Sequence, residues 1–141
     1  MRIMGLDVGE RRIGVAISDP DERLAVPLRV LERRGGAADA RTVADLARRE
    51  GVGRIVVGLP VSLDGSLGPQ ARQTQAFAEL LRTATDAEVE LYDERLSTLE
   101  AERHLRRMGM REREMRSHRD AVAAAIILQA YLDSRRSAPS P

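Results

Sequence analysis

Two apolar runs near the start of the chain, RIMGLDV (residues 2–8) and RRIGVAISD (residues 11–19), are separated by almost nothing. The VGERR link holds a glycine and charged residues, the composition of a tight hairpin turn. So short a link makes the two strands antiparallel, because parallel neighbours need a crossover of a dozen or more residues. A third run, LAVPLRVLER (residues 24–33), carries Pro27 and therefore belongs at a sheet edge, where a missing N–H costs little. The pattern then changes. Helical spacing over residues 38–50 precedes RIVVGL (residues 54–59), a continuous apolar run of the kind covered on both faces of a sheet. A second helix is expected over residues 69–82 with Pro69 in its first turn, then a strand EVELY at residues 88–92. A third helix opens on a capping box, Ser97 with Glu100, and closes on Gly109. A fourth spans about residues 119–134, and residues 135–141 form a flexible tail. The order β-β-β-α-β-α-β-α-α implies an α/β domain over residues 1–134, one mixed sheet with helices on both faces.

The first run poses a problem. Asp7 stands in the middle of a strand-like segment, where aspartate is depleted and a buried carboxylate is costly unless paired. Ligand sites in β-α units gather beyond the carboxyl ends of the parallel strands. Asp7 lies near such an end, Asp93 and Glu94 follow the last strand, and Asp120 opens the last helix. Three converging carboxylates repel one another, and a divalent cation offsets that repulsion. Mg²⁺ and Mn²⁺ take oxygen ligands, and two ions ~3.5–4 Å apart suit phosphodiester cleavage. On this reading Gly5 leaves room beside Asp7. The alternatives are a turn-forming role for Asp7 and a favourable helix N-terminal charge for Asp120.

Composition narrows the classes. The chain has 141 residues, no cysteine and a net charge of +1, which excludes disulfide and thiolate chemistry and a supercharged nucleic-acid binder. All 23 basic residues are arginine. No apolar stretch spans a membrane and the N-terminus lacks the features of a secretory signal, so a cytoplasmic location is expected. Residues 102–119 carry seven arginines against three glutamates and lead directly into Asp120. They either grip phosphates or form a solvated face. With one Phe, two Tyr and no Trp, recognition through aromatic stacking is poorly supported, and backbone contacts are favoured.

The segments GLDVGERRIGVAISD, VVGLPVSLDGSLGPQA, YDERLST and DAVAAAIILQAYLD, in this order, resemble the YqgF/RuvX family over nearly the whole chain. The resemblance implies a ribonuclease H-like fold, a five-stranded mixed sheet in the order 3-2-1-4-5, related to RuvC resolvases. It also implies a metal-dependent nuclease using Mg²⁺ or Mn²⁺, two ions with substrate, and acting in 5′-end processing of pre-16S ribosomal RNA. Resolution of Holliday junctions in branched DNA, and non-catalytic RNA binding during ribosome assembly, are the rival functions. The family's acidic positions fall on Asp7, Glu94 and Asp120. Arg11, Arg12, Arg95, Arg116 and Arg119 are the candidate nucleic-acid contacts, in a monomer or homodimer. Ser62 stands where the family commonly has Asn, and Arg116, His118 and Arg119 replace a Lys-rich lead-in to Asp120.

Overall fold

The computed structural model describes residues 1–107 and 119–137. Strands β1 (Arg2–Val8), β2 (Arg12–Ser18) and β3 (Ala25–Glu32) form the expected meander. Helix α1 (Gly36–Arg49), β4 (Val52–Leu59), α2 (Pro69–Ala84) and β5 (Glu88–Asp93) follow. A 3₁₀ turn (Glu94–Leu96) leads into α3 (Leu99–Arg107), and α4 (Arg119–Ser137) closes the described chain. The sheet order is β3-β2-β1-β4-β5, as the resemblance implies. β1 pairs antiparallel with β2 and parallel with β4, so the meander and the β-α units meet at β1. Pro27 sits on edge strand β3 opposite Ala16, where the register shifts between Val15 and Ala16.

Alternation along β1 sorts its side chains to two faces. Met4, Leu6 and Val8 join Ile13, Val15, Ile55 and Val57 against Val43 and Leu46 of α1 and Phe77 and Leu81 of α2. Ile3, Ala16 and Val56 meet Leu105 of α3 and Ala124, Leu128 and Leu132 of α4. Three consecutive β4 residues, Ile55, Val56 and Val57, are therefore buried, which accounts for the unbroken apolar run. No described helix is long and apolar enough to cross a membrane.

Helix α4 lies close on the sheet because both partners are small there. A Cβ built on Gly5 would stand 2.7 Å from Leu128 Cβ and 3.1 Å from the Ala124 carbonyl oxygen. The space at Gly5 thus seats the helix and does not serve Asp7, which corrects the reading from sequence. Polar ties fix the helix's second half. The fully buried Gln129 accepts from Ala25 N at 2.9 Å and donates to the Arg23 carbonyl at 2.9 Å. Tyr131 donates to Glu90 at 2.6 Å and accepts from Arg54 at 2.9 Å.

Two helix ends differ from expectation. Thr98, not Ser97, caps α3, its Oγ1 accepting from Ala101 N at 3.3 Å. Ser97 Oγ is buried without a hydrogen-bond partner. The two residues are adjacent cap formers, and the preceding 3₁₀ turn shifts the start by one position. Helix α4 continues through Ser137, past the residue 134 expected as its end. Gly109, expected to close α3, and residues 138–141 lie outside the described residues.

Candidate active site

Asp7 alternates away from Leu6 and Val8 and so lies on the α4 side of the sheet. Its partner on β2 is Gly14. On β4 the Leu6–Val57 pairing brings Gly58 alongside it. The one charged residue of β1's interior is therefore flanked on both sides by residues without side chains, and the gaps are filled from outside the sheet. A Cβ on Gly14 would lie 1.8 Å from the Asp120 carbonyl oxygen and 2.3 Å from its carbon, so the first turn of α4 rests on bare β2 backbone. A Cβ on Gly58 would lie 2.9 Å from Glu94 Oε1 and 2.8 Å from Ile127 Cδ1. Asp120 thus approaches Asp7 across Gly14, and Glu94 approaches it across Gly58. Both glycines were visible in RIGVAIS and VVGLP, since glycine inside a strand marks close approach, but their partners were not.

The grouping is electrostatically uncomfortable. Burial raises the Asp7 carboxyl above its ordinary value, and Asp120 raises it further. Glu94 is pushed up to about 7, first by burial and then by Asp7 and Asp93. Among the described residues neither Asp7 nor Glu94 has an ion-pair partner to offset this. Asp120 does: Arg12 Nη1 stands 3.6 Å from its Oδ2. An all-carboxylate set short of positive charge fits a hard divalent cation in its chemistry. Among the described residues no three acidic or histidine side chains close around one point at ligand distance. Glu94 and Asp120 must therefore turn toward Asp7 for the three to share an ion.

The other candidates divide. Asp93 is occupied by Arg95, whose Nη2 and Nε donate to it at 2.7 and 3.0 Å, and this pairing holds the Asp93 carboxyl below its usual range. Arg95 also reaches the carbonyls of Ser62 and Leu63 at 3.4 and 3.5 Å, so its guanidinium ties the loop after β4 to the turn after β5. Arg11 and Arg12 are exposed on the first hairpin, and Arg119 is exposed at the start of α4. Arg116 and His118 lie outside the described residues. Tyr92 packs edge-on to Tyr131 at 5.5 Å, half-buried against the α4 side of the core.

A family model described as RuvX, Holliday junction resolvase, matches residues 1–134. A protein of Chloroflexus aurantiacus named "Putative pre-16S rRNA nuclease" is 47% identical over 138 residues, 98% of this chain and 90% of its own. One of the same name from Anaeromyxobacter sp. (strain Fw109-5) is 51% identical over 137 residues, 97% of this chain and all of its own. Among solved structures, RuvC of T. thermophilus in complex with a Holliday junction substrate matches with a TM-score of 0.66 at 17% identity, covering 97% of this chain and 96% of that one. The Fowlpox virus resolvase with substrate Holliday junction DNA gives 0.58 at 12% identity, covering 96% and 99%. At these identities the structural likeness speaks for the fold, which is ribonuclease H-like.

Proposed function

This chain belongs to the RuvX family, and from that premise we propose that it is a divalent-metal-dependent nuclease that hydrolyses phosphodiester bonds in RNA. Its task is trimming the 5′ end of pre-16S ribosomal RNA in the cytoplasm. The curated relatives' name supports the substrate. The observation that carries the chemistry is Asp7 between two glycines, with Asp120 and Glu94 brought in over them.

Asp7, Glu94 and Asp120 would hold Mg²⁺ or Mn²⁺, two ions when substrate is present. When bound, such ions lower the pKa of water and neutralise charge on the phosphate and leaving oxygen. The chain's own part is positional. Strand β1 fixes Asp7 at the centre, because its backbone is paired on both sides. The 3₁₀ turn holds Glu94 on one flank, and α4 holds Asp120 on the other. Arg12 stands 3.6 Å from Asp120, and it and the exposed Arg11 and Arg119 would contact substrate phosphates. Were Asp120 to hold a cation, Arg12 would be free to contact a phosphate of the RNA backbone.

Cleavage of a 5′-extended 16S precursor RNA, run beside single strands and four-way DNA junctions with Mg²⁺ or Mn²⁺, tests this. Asp7→Asn is expected to lower the rate at least ~100-fold, the scale set by loss of a preorganised electrostatic group, while RNA binding persists. Full cleavage by purified Asp7→Asn overturns the site. Junction resolution would require two sites in a symmetric pair, and turnover confined to junctions replaces RNA with branched DNA. Tight RNA binding with no metal-stimulated turnover makes the chain a binding factor.

A further inference from the structure

The chain has one Phe and two Tyr; Phe77 and Tyr131 are buried, and Tyr92 packs half-buried against the core. Phe77 is 3% exposed, with the Arg33 guanidinium 5.5 Å from its ring centroid, and Tyr92 and Tyr131 pack on each other. Among the described residues no Phe or Tyr ring stands fully exposed to a nucleobase. Leucines stand bare instead on the loop after β4, in the 3₁₀ turn that carries Glu94 and at the start of α3. Leu63 is 96% exposed, Leu99 70% and Leu96 54%.

The loop that carries Leu63 is built, not slack. Ser62 N donates to the Ser66 carbonyl at 3.0 Å, and Gly65 N to the Ser62 carbonyl at 2.8 Å. Asp64 Oδ1 accepts from Ser66 N at 3.0 Å and from Ser66 Oγ at 2.6 Å. Gly65 adopts φ +87°, which a side chain would resist. Arg95 then binds the Ser62 and Leu63 carbonyls and thereby fastens this turn to the one bearing Glu94. The turn thus holds a fully solvated leucine in a defined place.

We propose that the turn at residues 62–66 is an apolar finger that sets Leu63 against a base of the substrate strand next to the cleaved phosphate. This rests on the nuclease reading of the carboxylate site. Position favours a base: a phosphodiester held at Asp7 and Glu94 carries its bases to either side, and Arg95 links Glu94's turn to the finger. Charge favours it too. Asp64 lies in the finger itself, Asp93 lies beside it, and Arg95 is already paired with Asp93, so a phosphate is disfavoured there while an uncharged ring is not. Aliphatic side chains elsewhere enter base steps as wedges and unstack them.

The test uses the full chain bound, in chelator, to a 16S precursor fragment carrying 2-aminopurine at successive positions around the mature 5′ end. Wild type is expected to brighten one position, since unstacking a base removes the quenching of its fluorescence. Leu63→Ser and Arg95→Ala lose that signal at that position only, and Leu63→Met restores it. Stabilisation of the protein by Mg²⁺ stays the same in Leu63→Ser as in wild type. Equal fluorescence for wild type and Leu63→Ser at every position overturns the finger and leaves the leucine to a protein partner. The signal needs no cleavage, so RNA that is bound and brightened but never cut removes the nuclease reading while the leucine contact stands.

Discussion

Glu94 is the residue whose protonation reports most directly on the site. Its carboxyl is held near 7 against an ordinary 4.5, by burial and by two neighbouring acids. Below about pH 4.5 the folded and unfolded chains both keep the proton, and this group takes nothing from stability. Between 4.5 and about 7 the unfolded chain ionises first, so stability falls as pH rises until the folded group ionises too. Metal-free protein is therefore expected to melt lower at pH 8 than at pH 5, and Glu94→Gln is expected to remove much of the difference. The loss is on the order of 1–2 kcal/mol, because Glu94 is only partly buried and water screens its neighbours. Mg²⁺ at pH 8 should raise the wild-type melting temperature and do little for Glu94→Gln. Thermal melts at the two pH values with and without Mg²⁺ measure all of this, and a flat wild-type profile would refute it.

At the scale of elements, the contact that matters is α4 on β2. Gly14→Ala places a methyl carbon where the Asp120 carbonyl now is, so the helix start must lift. The expected cost is about 1–3 kcal/mol, a fall of several degrees in melting temperature. Divalent-cation affinity should drop about tenfold, as when a supporting residue of a metal site is lost. Calorimetric titration with Mn²⁺ beside a melt separates the two effects, and undiminished affinity would show that Asp120 does not depend on Gly14. This contact also marks how far the sequence could be read. The meander was legible because its links are too short for crossovers, and β4 because burial on both faces erases alternation. Asp7 stands out because a carboxylate in an apolar strand has few inexpensive explanations. Gly14 and Gly58 were not assigned, because a strand glycine announces a close approach without saying what approaches. Gly5 was misassigned for the same reason, and Thr98 was passed over because Ser97 beside it offered an equally good cap.

For the whole molecule, the net charge of +1 conceals an uneven distribution. Residues 102–119 alone sum to +4 from seven arginines and three glutamates, and Arg11 and Arg12 stand exposed on the first hairpin. RNA affinity is expected to fall steeply with salt, and Arg12→Ala to reduce the slope of log affinity against log salt by about 1, uniformly across sequences. Filter binding over a salt series reads the slope, and an unchanged value would mean that Arg12 stays with Asp120 when RNA is bound.

Helix α4 is moored unevenly. Its hydrogen bonds to β3, β4, β5 and their loops begin at Gln129 and continue through Tyr131, while Asp120 at the other end has a 3.6 Å ion pair and the flat floor of Gly14. The helix is thus a cantilever, clamped behind and loaded at the tip. Damage at the clamp threatens the fold, whereas a small tilt at the tip leaves the fold standing and carries the carboxylate out of reach.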